Sequence, residues 1–357
     1  MHTYYSVCTR LFITLQPMQA PAVKPFKQIL NAIIFIATSL YVTCATAQNN
    51  VKKAAPDSPW PTRSVRLLVG FPGGSSPDLT ARTLADALTK ALGQSVIVEN
   101  KPGASGNIAA DQVAKALDDH TLGIVINGNL TSAKLLYPKL PYNPASDFTL
   151  ISLLTTAPLV LVAPAGQTSG AAFFAAARLG GKNWNYGSVG NGSVAHLGME
   201  LVKSNVPGLL PEHIPFSGNP QVVTALLGGQ IQMALMAPSV AMPQVRAGKL
   251  VAIGLTSGRS ALVPEVAPLA DVGEAGLKNV DLQVWNALVG PANLSKAAQL
   301  RLGAEVARII RDPEVRQKLF TQSWQAVGTS AEGLKSRLQQ ETQLLGNIIN
   351  TQGIRLD

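Results

Sequence analysis

Apolar and polar positions change period repeatedly along this chain. Val65-Arg66-Leu67-Leu68-Val69-Gly70-Phe71 is a nearly continuous apolar run, the pattern of a strand covered on both faces. Beyond the turn Pro72-Gly73-Gly74-Ser75-Ser76-Pro77 the period lengthens. From Asp78 onward Ala81, Leu84, Ala85, Leu88 and Leu92 share one helical face. The alternation then recurs. Strands are expected over 95–100, 121–126, 184–188, 213–216, 231–236, 250–256 and 283–289, and apolar runs at 148–154 and 159–163 are divided by Ala157-Pro158. Helices are expected over 105–117 (with Ala110, Val113 and Leu117 inward), from Ser193, over 220–227 and over 239–247. Apolar strands alternating with helices predict an α/β fold of parallel sheets covered on both faces.

The last third changes character. Ser295, Asp312 followed by Pro313, and Ser330 each stand where a helix N-cap belongs, so three successive helices close the chain, the last running to about Asn347. A helix-rich ending that folds back on earlier strands fits two α/β lobes with two crossings between them. The expected division is 48–158 plus 283–357 for lobe 1 and 159–282 for lobe 2.

Residues 1–47 read as a secretory signal. Their charges are Arg10, Lys24 and Lys27, then comes a short apolar run at 29–42, then Ala45-Thr46-Ala47. Met18 offers a second start, a membrane anchor is the alternative reading, and Tyr41-Val42-Thr43 before Cys44 makes a poor lipobox. Removing 1–47 leaves 310 residues and takes both cysteines, Cys8 and Cys44, so the expected mature chain folds without disulfides. Residues 48–61 read as a loose polar arm. The whole chain carries 29 basic and 20 acidic residues, and without the leader the balance is +6. The basic residues are scattered rather than clustered with aromatic partners, which excludes a nucleic-acid groove.

A strand feeding a glycine-rich turn into a helix leaves backbone N–H groups converging on one spot, with the positive end of the helix dipole behind them. The turn Pro72-Gly73-Gly74-Ser75-Ser76-Pro77, with the helix from Asp78 behind it, is therefore a ready anion site. A second unit mirrors it: Ser188 ends a strand, Val189-Gly190-Asn191-Gly192 turns, and Ser193 opens a helix carrying His196. Asn219-Pro220 opens another after Phe216-Ser217-Gly218. Ligands of open α/β sheets sit beyond the carboxyl ends of the strands, so two such edges face to face make a cleft. A dinucleotide fingerprint is incomplete, because the third glycine is missing, although Glu99 ends the next strand. The sequence has no G-x-S-x-G elbow, no phosphate-loop lysine motif, and no His-x-x-x-His or cysteine pair for a metal. No cofactor is expected. Ser193 and His196, one turn apart, keep an exported hydrolase open as an alternative.

Those residues resemble the periplasmic solute receptors of tripartite tricarboxylate transporters, the Bordetella-uptake-gene type. The marks are Phe71-Pro72-Gly73-Gly74 with Asp78 and Arg82, the run Val98-Glu99-Asn100-Lys101-Pro102-Gly103-Ala104-Ser105-Gly106-Asn107, and Leu136-Tyr137-Pro138-Lys139-Leu140-Pro141-Tyr142. Gly190-Asn191-Gly192-Ser193 with His196-Leu197, Leu227-Gly228-Gly229-Gln230, Ala247-Gly248-Lys249-Leu250 and Asp312-Pro313-Glu314-Val315-Arg316 continue the match. The resemblance implies a two-lobed Venus-flytrap fold of type II, each lobe a sheet flanked by helices, closing on a small organic carboxylate as a monomer and serving a membrane permease without catalysis. A ligand sensor for a membrane signalling protein is the other non-catalytic alternative. It implies ligand contacts from Phe71, Gly74, Ser75, Ser76 and Asp78, from Asn127, Gly128 and Asn129 in the loop after the third strand, and from Ser188, Asn191, Gly192, Ser193 and His196, with Phe216 and Ser217 toward the hinge. Relatives commonly carry an Asp where this chain has Met236-Ala237. Losing that acid points to an apolar-bodied acid without an amino group.

Overall fold

The computed structural model describes residues 60–356. The expected signal at 1–47 and most of the arm at 48–61 lie outside the described residues. Two sheets organise the rest. The chain runs β1 (Val65–Val69), α1 (Ser76–Leu92), β2 (Val96–Asn100), α2 (Asn107–Ala114), β3 (Thr121–Ile126), the short helices α3 (Asn127–Leu130) and α4 (Ala133–Leu136), and β4 (Phe148–Pro158). It crosses into β5 (Val160–Pro164), α5 (Gly170–Gly180), β6 (Asn185–Ser188), α6 (Val194–Asn205), β7 (Glu212–Pro215), α7 (Asn219–Leu227), β8 (Met233–Met236), α8 (Pro238–Arg246) and β9 (Leu250–Leu255). It returns through β10 (Gln283–Pro291) to α9 (Lys296–Arg311), α10 (Pro313–Thr321), β11 (Gln325–Ala326) and α11 (Ala331–Thr351).

The first sheet has the order β11-β4-β10-β3-β1-β2 and the second β7-β6-β8-β5-β9. Both are mixed, which corrects the expectation of parallel sheets. β1 runs parallel to β2 and β3, and β6 parallel to β7 and β8, as βαβ units require. β10 is antiparallel to β3 and β4, and β5 is antiparallel to β8 and β9. β10 and β5 enter their sheets from the other lobe, where no crossover helix sets their direction, and the two-residue β11 is antiparallel to β4 as well.

The two crossings lie side by side. Leu159 N–H donates to Thr256 Oγ1 (2.9 Å), Thr256 N–H returns a bond to Leu159 O (3.0 Å), and the Thr256 hydroxyl also reaches Leu282 O (2.6 Å). One buried threonine thus ties the outgoing strand to the returning one.

The expected caps form. Ser295 Oγ accepts from Ala298 N–H (3.3 Å), Asp312 Oδ1 from Glu314 N–H (2.8 Å), and Ser330 Oγ from Gly333 N–H (3.2 Å). The closing helices do fold back: Glu341 of α11 is buried and accepts from Trp285 Nε1 of β10 (2.6 Å) and from Arg337 Nε (3.0 Å). α2 is shorter than its apolar pattern suggests. It starts at Asn107 because Ala104, Ser105 and Gly106 all adopt positive φ, and it stops at Ala114, leaving Leu117 93% exposed rather than inward.

Candidate functional site

The first jaw is the turn between β1 and α1. Ser75, the residue before α1, is extended (φ −74°, ψ 161°), and its hydroxyl donates to Pro72 O (2.6 Å) instead of capping the helix. Pro77 has no N–H to offer. Asp78, 1% exposed, shapes the turn from inside. Its carboxylate accepts from Gly74 N–H (2.9 Å), Asn100 Nδ2 (2.9 Å) and Arg82 Nε (3.0 Å). Burial pushes the Asp78 pKa up, but the bonds from Arg82, Asn100 and Gly74 together outweigh it and hold the group below the usual carboxylate range. Both Asp78 oxygens are therefore committed to the loop.

The second jaw is the glycine loop between β6 and α6. Ser193 is the N-cap of α6, its Oγ accepting from His196 N–H (3.3 Å). His196 Nδ1 in turn accepts from Gly192 N–H (3.1 Å). Ser188 Oγ accepts from Gly190 N–H (3.1 Å) and pairs with His213 Nε2 (2.7 Å). Behind the loop three rings stack: Tyr186 on His213 (4.9 Å between centroids) and His213 on His196 (4.0 Å). Burial pushes the His196 pKa down to about 4, with Lys203 lowering it further and Glu200 opposing. Burial, then His196 and Lys203, push His213 down to about 3. Both imidazoles are neutral at pH 7, which is the state that lets His196 Nδ1 accept the Gly192 bond.

The jaws touch. Ser132 Oγ donates to Gly192 O (2.5 Å), Tyr137 OH to Asn191 O (3.2 Å), and Ser76 N–H to Asn219 Oδ1 (3.3 Å). Gly190, at φ 121°, lies so close to lobe 1 that a Cβ would sit 2.3 Å from Ser105 Oγ. Between the jaws remains a cavity of about 20 Å³. That is room for about one water, so a larger ligand enters only when the jaws part. Lobe 1 lines it with Phe71, Ser76, Pro77, Ile126 and Val284; Leu159 comes from the crossing. Lobe 2 lines it with Val189, Ser193, Val194, Ala195, Asn219, Leu235 and Ala237. Ser76, Ser193 and Asn219 are its polar residues, and no charged side chain lines it.

Of the residues singled out by sequence, Phe71, Ser76 and Ser193 reach this cavity, while Gly74, Ser75 and Asp78 build the turn beside it. Residues 127–129 begin a helical turn rather than a loop. Asn127 Nδ2 donates to Gln283 O (3.1 Å) and Glu341 Oε1 (2.6 Å), and Asn129 Nδ2 to Ser105 O (3.0 Å) and Asn107 Oδ1 (2.8 Å), so both amides knit lobe 1 together. Gly128, Asn191 and Gly192 form the seam between lobes. Ser188 and His196 support the loop from behind. Phe216 is half-buried, its N–H donating to Ser188 O (2.9 Å), and Ser217 is exposed; neither lines the cavity, and neither stands at the crossings. The sequence reading placed Asn219 only as a helix start. Its signal was a third helix opening at a strand end in the same lobe, but the side chain's aim depends on how the lobes meet.

The model of the tripartite tricarboxylate transporter family receptor matches residues 80–354. The chain belongs to that family. A UPF0065 protein of Bordetella pertussis is 31% identical over 338 residues, covering 93% of this chain and 99% of its own length. Among solved receptors, the Rhodopseudomonas palustris protein Rpa4515 with adipate superposes with a TM-score of 0.79 at 27% identity, covering 83% of this chain and 99% of its own. MatC from Rhodopseudomonas palustris with bound malate gives a TM-score of 0.75 at 29% identity, covering 81% and 100%. The two-lobed receptor fold and the membership in a carboxylate-receptor family are thus established together.

Proposed function

We propose that this receptor works in the periplasm, binds one small organic carboxylate between its lobes and presents it to a tripartite-type membrane permease. Lobe 1, residues 48–158 plus 283–357, holds the first jaw, and lobe 2, residues 159–282, the second. The observation that carries the reading is the meeting of three helix N-termini, those of α1, α6 and α7, around one small cavity through Ser76, Ser193 and Asn219. Neutral donors backed by helix dipoles suit an anion that must be released again, because no buried cation holds it. Each jaw alone supplies few donors. A ligand spanning both is held by all of them only when the lobes close, so binding and closure are one equilibrium.

Apart from Ser76, Ser193 and Asn219 the cavity lining is apolar, with Ile126, Leu159, Leu235, Ala237 and Val284 among it. That apolar part offers no partner to an ammonium group, which supports an aliphatic or aromatic acid without an amine. A thermal-shift screen tests this with adipate, malate, benzoate, citrate, aspartate and glutamate. A ligand at a hundredfold excess over its Kd adds about 2.7 kcal/mol. The melting temperature is expected to rise with an apolar-bodied acid. A response to aspartate or glutamate alone overturns the specificity, and no response to any acid overturns the receptor reading.

A further inference from the structure

Asn219 makes a bond that the receptor role does not require. It is the first residue of α7, 5% exposed, and its Oδ1 accepts from Ser76 N–H on the other lobe at 3.3 Å. A backbone N–H is only a donor, so the amide must face it with oxygen. Ser76 N–H is also the first orphan donor of α1: the Ser75 hydroxyl is turned away to Pro72 O, and Pro77 has no N–H. The Asn219 oxygen therefore sits where an arriving carboxylate oxygen would find its donor, in the same cavity. Gly218, just before it, brings the lobes so close that a Cβ there would lie 2.6 Å from Pro72 Cδ.

We propose that Asn219 is a built-in stand-in for the ligand: its amide oxygen occupies the carboxylate donor of α1, latches the empty lobes shut, and is displaced by the incoming acid. Once displaced, the same amide can turn its Nδ2 hydrogens toward the carboxylate, becoming a donor to the ligand. Among the described residues Nδ2 has no protein hydrogen-bond partner that such a turn would break. The latch rests on the receptor reading only for the identity of what displaces it. It makes binding an exchange of one oxygen for another, so the acid need not create closure from nothing.

The test is Asn219→Asp, which places a carboxylate in cis at the site, combined with Ser76→Pro. Proline is tolerated at the first helical position, and extended Ser75 accepts a following proline, so Ser76→Pro removes the donor with little strain. Without ligand, Asn219→Asp is expected to melt higher than the wild type by roughly 2 °C or more, to lose that gain below about pH 4 as its carboxyl protonates, and to lose it in the Ser76→Pro background. Its response to whichever of adipate, malate or benzoate shifts the wild type is expected to fall at least tenfold in apparent affinity. By small-angle scattering, ligand-free Asn219→Ala is expected to be more extended than the wild type. A gain that persists with Ser76→Pro is only a helix-end charge effect on α7 and overturns the latch, as does an Asn219→Asp protein with no gain. If no acid shifts the wild type while the gain still depends on the Ser76 N–H, the latch stands and the receptor reading falls.

Discussion

His196 lies nearly parallel to His213, their ring centroids 4.0 Å apart, and its Nδ1 accepts the Gly192 N–H that anchors the second jaw. Burial inside the lobe disfavours a charge on either ring and holds their pKa values down, to about 4 for His196 and about 3 for His213, where the neighbouring His196 adds to the effect.

Stability is therefore expected to fall on mild acidification. In the unfolded chain both histidines protonate near pH 6.5, while in the folded chain they do so only well below pH 5. Their contribution is complete above pH 6.5 and is lost as pH falls toward 4, at up to about 1.4 kcal/mol per pH unit for each. Glu200 and Lys203 face the same cluster, Lys203 bonding Glu200 at 2.9 Å and standing over the Tyr186 ring. Urea unfolding at pH 7, 6 and 5 measures the slope. The double variant His196→Asn, His213→Gln keeps acceptors near the two nitrogens without titrating, and is expected to flatten it.

Asp78 is predicted to hold the first jaw rather than touch the ligand. Asp78→Asn keeps the shape but loses the charge that Arg82, Asn100 and Gly74 share. A cost of roughly 2 kcal/mol is expected in urea unfolding. Carboxylate affinity is expected to fall as well, because the turn that aims Ser76 N–H loosens.

Closure should be separable from folding. Gly218 is extended at φ 174°, so a side chain there strains no backbone but strikes Pro72 of the other lobe. Gly218→Val is expected to wedge the lobes apart: a larger radius of gyration by small-angle scattering and at least a tenfold loss of carboxylate affinity, with each lobe's secondary structure unchanged by circular dichroism.

Ser193 is placed as a cap. Its Oγ accepts the His196 backbone N–H, and the His196 ring is bonded to Gly192 instead. Ser193→Ala is expected to cost about 1 kcal/mol of stability and to weaken carboxylate binding. Hydrolysis of a p-nitrophenyl ester by the wild type that disappears in this variant would instead revive the hydrolase alternative.

Much of the fold was legible because its signals are local. The β1 run from Val65, the caps at Ser295, Asp312 and Ser330, and the proline break near Pro158 each depend on a few neighbouring residues. What the sequence did not show was non-local. Leu117 matched the apolar face of α2, yet the helix had already ended and the side chain is exposed. The resemblance placed Asn127 and Asn129 among the ligand contacts. They are spent on Glu341 and Asn107, and Glu341 lies far along the chain on α11.

The sequence by itself determined the α/β elements, the two glycine turns that open helices at strand ends, and hence an anion-binding chemistry, since helix ends carry the same orphan N–H groups in any setting. Only the tertiary structure decided which of those groups share a cavity, that Asn219 faces Ser76, and that the remaining wall is apolar. The physical reason is that a helix start aims its donors by local geometry, whereas the partner across a cleft is set by two crossings of the chain and the packing of whole lobes.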